Sequence, residues 1–374
     1  MEMWFAIVVI TCLLAFFKVY ISPNNKNVTK NTLPPGPWGI PIISSIKWLR
    51  KSTMEVEASL KTLSSKYGPI ITLSAASRPF IFISTPSMAY EALILKGVTF
   101  SSRPTAQHTA KIRKNNQLNI SSTNGATWRL FRRNLISNLS NVTLIELEIA
   151  DEDHTKRKLN EEELMNLCSE FLNAGTDTST ALQWIMANLV KHQTIQDTLF
   201  QAIKEVIGTK ADEVKEEDLS KIPYLKAVIL EGLRRHPPSH FSLPHAVSEE
   251  ATLGGYTIPK NAIILFTLTD MGNDPKVWEN PMEFNPERFM GNDKVDIDMT
   301  GSREIKMMPF GAGRRIFPAM RLAMLHLEYY VANLVWNFEW RIPNGEEVDL
   351  SEKQDFTVVM KHPLHAYLKP RQIN

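Results

Sequence analysis

The stretch PFGAGRRIFP, residues 309–318, combines residue types that suit a binding loop. Gly311 and Gly313 permit sharp backbone turns, Arg314 and Arg315 supply cations, and an apolar, helix-forming run follows at once. A loop of this composition looks built to hold something. The loop ends at Phe317, however, and a phenyl ring has no lone pair to donate to a metal ion.

Two charged side chains, Glu231 and Arg234, are three residues apart in a segment with helical spacing, so they can pair on one helix face. An isolated pair of this kind is most often a solvated surface pair. A second arginine, Arg288, follows in the aromatic, turn-like stretch FNPERF. The residues alone leave both the surface and the buried interpretation open.

Two further stretches gain meaning only from their context. Trp128 and Arg132 are four apart on one face of a predicted helix, where core packing and an exposed cation are the simplest interpretations. The run AGTDT, residues 174–178, contains Asp177 and Thr178, and by itself indicates a weak helix whose threonines bond to their own carbonyls.

The elements that would position these residues are mostly helical, with a minor β portion. Apolar residues at helical spacing predict helices near residues 54–67, 87–96, 125–139, 160–191, 195–207, 222–235 and 318–336. A hairpin is predicted at residues 69–83, a tight turn between small strands at 253–259, and short strands at 340–368. The charged run 146–163 is interpreted as a loop and a polar helix start.

Composition excludes several classes of protein. The net charge is +2, from 42 basic and 40 acidic residues, which gives no general case for a nucleic-acid partner. The 2 cysteines, Cys12 and Cys168, exclude a disulfide framework and are interpreted as structural, so we predict no metal site from them.

The N-terminus predicts a membrane anchor. Residues 3–17 carry no charge and Lys18 can snorkel, so residues 1–21 contain a segment just able to span a bilayer. Lysines after the span leave the rest of the chain in the cytosol, and a cleaved signal peptide fits less well. A proline-rich connector, residues 22–42, then leads to one folded domain, residues 43–374.

Taken together, these motifs resemble those of the cytochrome P-450 superfamily, the haem-thiolate monooxygenases. The detailed amino-acid sequence of the C-terminal third is similar to that of the plant membrane-bound P-450s, family eighty-nine. The resemblance implies a P-450 fold, a haem cofactor, a small apolar substrate, an NADPH-dependent reductase as partner, and the endoplasmic reticulum membrane as location.

The resemblance also implies roles for particular residues. A buried ionic triad would support the fold, haem propionates would be bound by four side chains, and an acid and an alcohol on the long helix would relay protons to reduced oxygen. The triad consists of Glu231, Arg234 and Arg288. The side chains that would bind the propionates are Trp128, Arg132, His245 and Arg315. The relay residues would be Asp177 and Thr178. Phe310 and Gly313 belong to the haem loop.

Two departures from the family pattern are visible. Phe317 stands where the family carries the cysteine that ligates iron, and neither Cys12, Cys168 nor His326 is placed to replace it. Only about thirty residues separate the Trp128 helix from the helix of Ala174, where the family has a block of helices that roof the substrate pocket. We therefore expect an internal deletion joined near residues 140–143, and an exposed face on the long helix.

Three functions are consistent with this pattern. The first is a degenerate, inactive relative of the monooxygenases, which the missing ligand favours. The second is an active monooxygenase. The third is a membrane-tethered interaction module that pairs with an intact relative or with its reductase.

Overall fold

A computed structural model of the chain describes residues 33–37, 48, 50–75, 78–104, 125, 128, 129, 132, 148–150, 156–158, 161–291, 297–343, 346–355 and 357–371. More of these residues lie in helices than in strands, which confirms the predicted mixture.

The long helices follow the predicted order, and short helices that were not predicted lie between them. They are α1 (Thr53–Tyr67), α2 (Pro86–Tyr90), α3 (Gly97–Phe100), α4 (Glu161–Lys191), α5 (Gln193–Ile207), α6 (Glu216–Leu219), α7 (Pro223–Arg235), α8 (Leu268–Gly272) and α9 (Met320–Asn337). The segment predicted as one helix at 87–96 is divided, because α2 passes into a π-helical turn, Glu91–Leu95. Of the helix predicted at 125–139, residues 125, 128, 129 and 132 are described, and all are helical.

The strands form one sheet of four strands and several pairs. They are β1 (Ile70–Ala75), β2 (Arg78–Ile83), β3 (Glu148–Ala150), β4 (Lys156–Lys158), β5 (His245–Ala246), β6 (Ala251–Leu253), β7 (Tyr256–Ile258), β8 (Ile263–Phe266), β9 (Phe338–Arg341), β10 (Glu352–Gln354), β11 (Val358–Met360) and β12 (Tyr367–Pro370). The four-stranded sheet has the order β1-β2-β8-β5, and the predicted hairpin is β1 paired antiparallel with β2.

The main core lies where α4, α5, α7 and α9 meet. Leu189, Leu199, Leu233 and Val335, one from each helix, are almost fully buried in one cluster. Their burial follows from the apolar stripe that each helix carries at helical spacing. This packing fixes the long helix α4 against the helix that follows the glycine loop.

The charged run 146–163 folds differently from the prediction. α4 begins at Glu161, as expected, but the preceding residues contain β3 and β4, which pair antiparallel with Glu148 opposite Lys158. The predicted loop was wrong over these strands. Strands of three residues are held by their partner, so local sequence carries little signal for them.

The predicted anchor, residues 1–21, lies outside the described residues, as does the connector except for 33–37. Within that short piece the carbonyl of Pro35 accepts a hydrogen bond from the Thr72 amide at 2.9 Å, which attaches the connector to β1. No helix in the part of the chain that the structure describes is long and apolar enough to cross a membrane.

Candidate functional site

The glycine loop can lie close to the π-helical turn because Gly313 has no side chain. Gly311 and Gly313 have φ values of 72° and 64°, in the left-handed region that favours glycine. A Cβ on Gly313 would lie 2.4 Å from the carbonyl oxygen of Leu93, whereas a Cβ on Gly311 would meet nothing closer than 3.8 Å. The loop therefore approaches the turn at Gly313.

Phe317 closes this loop. Its amide donates to the carbonyl of Phe310 at 2.9 Å, and the two rings are nearly parallel, with centroids 6.2 Å apart and planes 8° from each other. Both rings are half-buried, and α9 begins three residues later. Arg321 and His326 on α9 are exposed. Phe317, which we predict at the position of the family's iron ligand, is thus part of an aromatic pair.

Two arginines lie against one indole ring, and a third lies near one of them; we call Arg103, Arg132, Arg315 and Trp128 the arginine cluster. The guanidinium carbons of Arg315 and Arg132 lie 4.4 Å and 5.5 Å from the centroid of the buried Trp128 ring. Arg315 also donates from Nε to the carbonyl of Ser101 at 2.8 Å. Arg103 donates from Nη1 to the Leu243 and Pro244 carbonyls at 3.0 and 2.8 Å.

Like charges meet in this cluster. Burial and, after it, the nearby charge of Arg315 lower the pKa of Arg103 to about 9. Burial, with the charges of Arg132 and Arg314, lowers the pKa of Arg315 to about 10, and burial lowers that of Arg132. An anion placed among these groups would relieve their repulsion.

His245 lies beside the arginine cluster but is held as a neutral ring. Burial, Arg103 and Arg315 lower its pKa to about 3, against the opposing hydrogen bond at the Phe100 carbonyl. Nδ1 lies 2.8 Å from that carbonyl oxygen, which can only accept, so Nδ1 carries the proton. Nε2 is then an acceptor, and His245 could donate to a carboxylate only after taking up a second proton.

The cluster fits the acidic edge of a haem. Trp128 Nε1 is buried and has no hydrogen-bond partner in the part of the chain that the structure describes. An unpartnered indole donor beside converging guanidinium groups is the donor set that a pair of carboxylates requires.

The same site does not fit the iron. Phe317, which we predict at the ligand position, offers no donor atom. The residues therefore fit the carboxylates of a haem and do not fit its iron.

The two predicted proton-relay residues lie on α4. Burial raises the pKa of the Asp177 carboxyl to about 6, while Thr178 is half-buried beside it. Gly175 and Ser179 on the same helix are exposed. No hydrogen bond or ion pair among the described residues joins Asp177 or Thr178 to the arginine cluster, so their relay role stays a prediction.

The buried ionic triad forms as the resemblance implied. Arg234 donates from Nε and Nη2 to the two carboxylate oxygens of Glu231 at 2.7 and 2.8 Å, and both side chains are fully buried. Arg288 donates to Glu231 Oε1 at 3.2 Å, and the amide of Asn285 donates to the same oxygen at 2.8 Å. Glu231 thus connects α7 to the 3-10 turn Pro286–Phe289.

Comparison with protein families decides the identity of the fold. The cytochrome P-450 family model matches residues 34–148 and 140–370, which is most of the chain. The chain belongs to the cytochrome P-450 family. It is 38% identical over 480 aligned positions to cytochrome P-450 89A9 of Arabidopsis thaliana, with 91% of this chain and 94% of that relative covered.

Other P-450 relatives match over a shorter part. Cytochrome P-450 98A1 of Sorghum bicolor is 38% identical over 57% of this chain and 41% of its own length. Flavonoid 3'-monooxygenase of Arabidopsis thaliana is 36% identical over 61% of this chain and 45% of its own length. The alignments with these two relatives thus cover less than half of each relative.

Solved structures agree on the fold. A zebra fish cytochrome P-450 solved with abiraterone superposes with a TM-score of 0.73 at 19% identity, covering 85% of this chain and 100% of that one. The same comparison with a zebra fish P-450 solved with progesterone gives a TM-score of 0.71 at 19% identity.

Homology thus places the chain among the P-450 monooxygenases. That family normally binds haem and uses a reductase as its redox partner, and its plant members are usually proteins of the endoplasmic reticulum membrane.

Sequence reasoning missed Arg103. The isolated bridge between Ser102 and Ala246 brings the segment after α3 alongside β5, and so places Arg103 near His245. No local pattern marks this arginine, because its neighbours in the cluster come from distant parts of the chain. Only the pairing of those segments reveals it.

The glycine loop allows a matched pair of substitutions. We expect Gly311→Ala to lower the free energy of unfolding by about 1 kcal/mol, because alanine is strained at positive φ. Gly313→Ala adds a clash with the Leu93 carbonyl, so we expect a loss of about 2–4 kcal/mol. Urea denaturation of the full chain measures both, and equal losses would contradict the close approach at Gly313.

Proposed function

We propose that this chain is a cytochrome P-450 relative that has lost monooxygenase activity while keeping the haem loop and the arginine cluster. The observation that carries the proposal is Phe317, which stands at the position of the iron ligand and stacks on Phe310. The haem supplies oxygen activation in this family, and its proximal thiolate favours O–O cleavage. A phenyl ring cannot take that part.

An internal deletion adds to the loss of the ligand. The two stretches matched by the family model meet at residues 140–148, around the proposed join at 140–143. The 480-position alignment with the Arabidopsis relative is longer than this 374-residue chain, so it contains stretches of that relative without a counterpart here. Between residues 132 and 161, the described part of the chain holds only the β3–β4 pair. These observations support a domain, residues 43–374, that lacks the helices roofing the substrate pocket.

The remaining site residues keep binding and positioning roles in this proposal. Trp128, Arg132 and Arg315 would hold carboxylates through their N–H groups, and His245 would join them when protonated. Asp177 and Thr178 would be remnants of the proton relay, with no oxygen species to serve. Phe310 and Gly313 would still shape the loop.

Membrane attachment is part of the proposal. Residues 1–21 would anchor the chain in the endoplasmic reticulum membrane with the domain in the cytosol, where a reductase could still meet it. The uncharged run at residues 3–17 and the usual location of plant relatives support this.

A spectrum tests the proposed loss of activity. The full chain, expressed with haem available, is reduced and treated with carbon monoxide beside cytochrome P-450 89A9 prepared in the same way. We expect the far-red-shifted Soret band of thiolate-bound iron from the intact relative and not from this chain. The appearance of that band in this chain would overturn the proposal.

Restoring the ligand separates the two losses. We expect Phe317→Cys to give at most a small, unstable fraction of the thiolate band, because the missing helices leave the haem loosely enclosed. Phe310→Cys is the matched control, since it places a thiol in the same loop at the other ring and should give no band. A full, stable band from Phe317→Cys alone would show that the deletion matters little.

A second candidate function is a membrane-tethered interaction module that binds a reductase or an intact relative. The exposure of Gly175, Thr176 and Ser179 on α4 favours it, because the missing helices would leave this face uncovered. Co-purification with the reductase and with an intact relative, each compared between the full chain and a chain lacking residues 1–21, tests it. Binding to neither form would rule this function out.

A further inference from the structure

We infer that this chain is a metal-indifferent porphyrin-binding protein, which binds a metal-free porphyrin dicarboxylate about as tightly as the iron porphyrin. The inference rests on the proposed function, because it requires that Phe317 gives iron no ligand. It concerns binding, however, and its result can be separated from any result on catalysis.

The ligand class follows from what one loop presents. The turn Gly313–Arg315 carries a cation into the arginine cluster, and two residues later the chain places the Phe317 ring parallel to that of Phe310. Aromatic faces suit a flat macrocycle, and guanidinium groups suit the carboxylates on its edge. A small anion such as phosphate would use only the second of these features.

The donors for the carboxylates are buried and underused. Trp128 Nε1 has no hydrogen-bond partner among the described residues, and no carboxylate among them forms an ion pair with Arg132. Arg132 and Arg315 both lie against the Trp128 ring, so one anion could contact both cations and the indole N–H. Both porphyrins present the same carboxylates to these groups.

The metal contributes nothing to this binding from the protein side. In a protein with an iron ligand, the coordinate bond favours the iron porphyrin over the metal-free one. Here the groups placed for binding are aromatic rings, guanidinium groups and an indole, which contact only the macrocycle and its carboxylates. The ratio of the two dissociation constants should therefore be close to one.

The experiment compares two porphyrins on the full chain in detergent, with protein-free micelles as the blank. Iron(III) protoporphyrin and metal-free protoporphyrin are titrated against tryptophan fluorescence, and the anisotropy of the metal-free porphyrin gives a second readout. We expect dissociation constants within about threefold of each other. Binding of the iron porphyrin tenfold tighter or more, or no binding of the metal-free porphyrin, would overturn the inference.

Three variants assign the binding to the site. Arg132→Gln should weaken both porphyrins equally, by about tenfold, because it removes one charge-assisted contact. Arg129→Gln is the matched control, since Arg129 is an exposed cation on the same helical turn and should change neither. Phe317→Cys should raise the affinity for the iron porphyrin relative to the metal-free one, because the added thiol is a ligand for the metal alone. Equal affinities in the parent and Arg132→Gln would show adsorption elsewhere and overturn the inference.

Failure of this inference differs from failure of the proposed function. A thiolate band in the carbon monoxide spectrum would overturn the proposed function. Preferential binding of the iron porphyrin without that band would overturn only the porphyrin inference, because it would reveal some other iron ligand. Thermal unfolding of each variant establishes that it is folded before its affinity is interpreted.

Discussion

Replacing Glu231 by glutamine is expected to lower the free energy of unfolding by about 3–5 kcal/mol, a large part of the stability of an ordinary domain. Glu231 is the only carboxylate among the described ion pairs of Arg234 and Arg288, and Glu231 and Arg234 are fully buried. Glutamine keeps the size of the side chain and removes its charge. The two arginines would then keep hydrogen bonds to backbone carbonyls but lose the carboxylate that their described ion pairs share.

The chain offers a matched control for this substitution. Lys221 and Asp218 are also three residues apart, and Lys221 Nζ lies 2.9 Å from Asp218 Oδ1. Their side chains, however, are 58% and 19% exposed. Asp218→Asn should leave the free energy of unfolding nearly unchanged, because water solvates the remaining charge. Urea denaturation of the full chain measures both variants. A loss for Glu231→Gln no greater than that for Asp218→Asn would contradict the buried triad as a support of the fold.

A second buried network connects three distant parts of the chain. His240, in the segment after α7, contacts Glu57 of α1 through Nδ1, and its Nε2 lies 2.9 Å from Glu352 Oε2 of β10. The His236 ring stacks on Trp184 of α4 at 4.3 Å, and its Nδ1 lies 3.5 Å from Glu352. The network therefore joins the N-terminal helix and the C-terminal strands to the centre of the fold.

The charges of this network oppose its burial. Burial lowers the pKa of His240, but Glu352 and Glu57 outweigh it and raise that pKa from 6.5 to about 9. Burial raises the pKa of Glu352, but His236 and His240 outweigh it and lower that pKa from 4.5 to about 2. The pKa of Glu57 is also lowered, by His240 and Lys61 against burial.

The pH dependence follows from these directions. The contribution of His240 to stability is fully present below pH 6.5 and is lost as the pH rises through about 9. The contribution of Glu352 is fully present above pH 4.5 and is lost as the pH falls through about 2. Both contributions are fully present between pH 4.5 and pH 6.5. Burial lowers the pKa of His236, which is opposite to the shift of His240. Burial raises the pKa of Asp270, which is opposite to the shift of Glu352.

We therefore expect His240→Gln to cost about 3 kcal/mol near pH 6, since one pKa unit corresponds to about 1.4 kcal/mol. The difference from the parent should shrink as the pH rises toward 9. His362→Gln is the control, because His362 and Asp349 are 3.7 Å apart but 64% and 49% exposed. Urea denaturation at several pH values measures the difference. A cost that stays constant between pH 6 and pH 9 would exclude a charged His240.

Much of the site could be predicted because its pairs lie within single elements. Glu231 and Arg234 share a face of α7 because three residues are nearly one helical turn, and the sequence alone states this spacing. Trp128 and Arg132 are related in the same way, and their contact is present. The π-helical turn after α2 and the strands β3 and β4 were missed, because they depend on neighbours rather than on local preference.

The sequence by itself determined the family, since its motifs are local facts, and it carries a phenylalanine at residue 317, where we predict the family's iron ligand. It also determined where the long helices begin and end, because apolar spacing records which face of each helix is buried. Only the tertiary structure decided that Arg103 joins Arg132 and Arg315, that His245 is neutral, and that Glu57, His240 and Glu352 meet. These groups are far apart along the chain, and the packing of separate elements, not backbone periodicity, sets the distances between them.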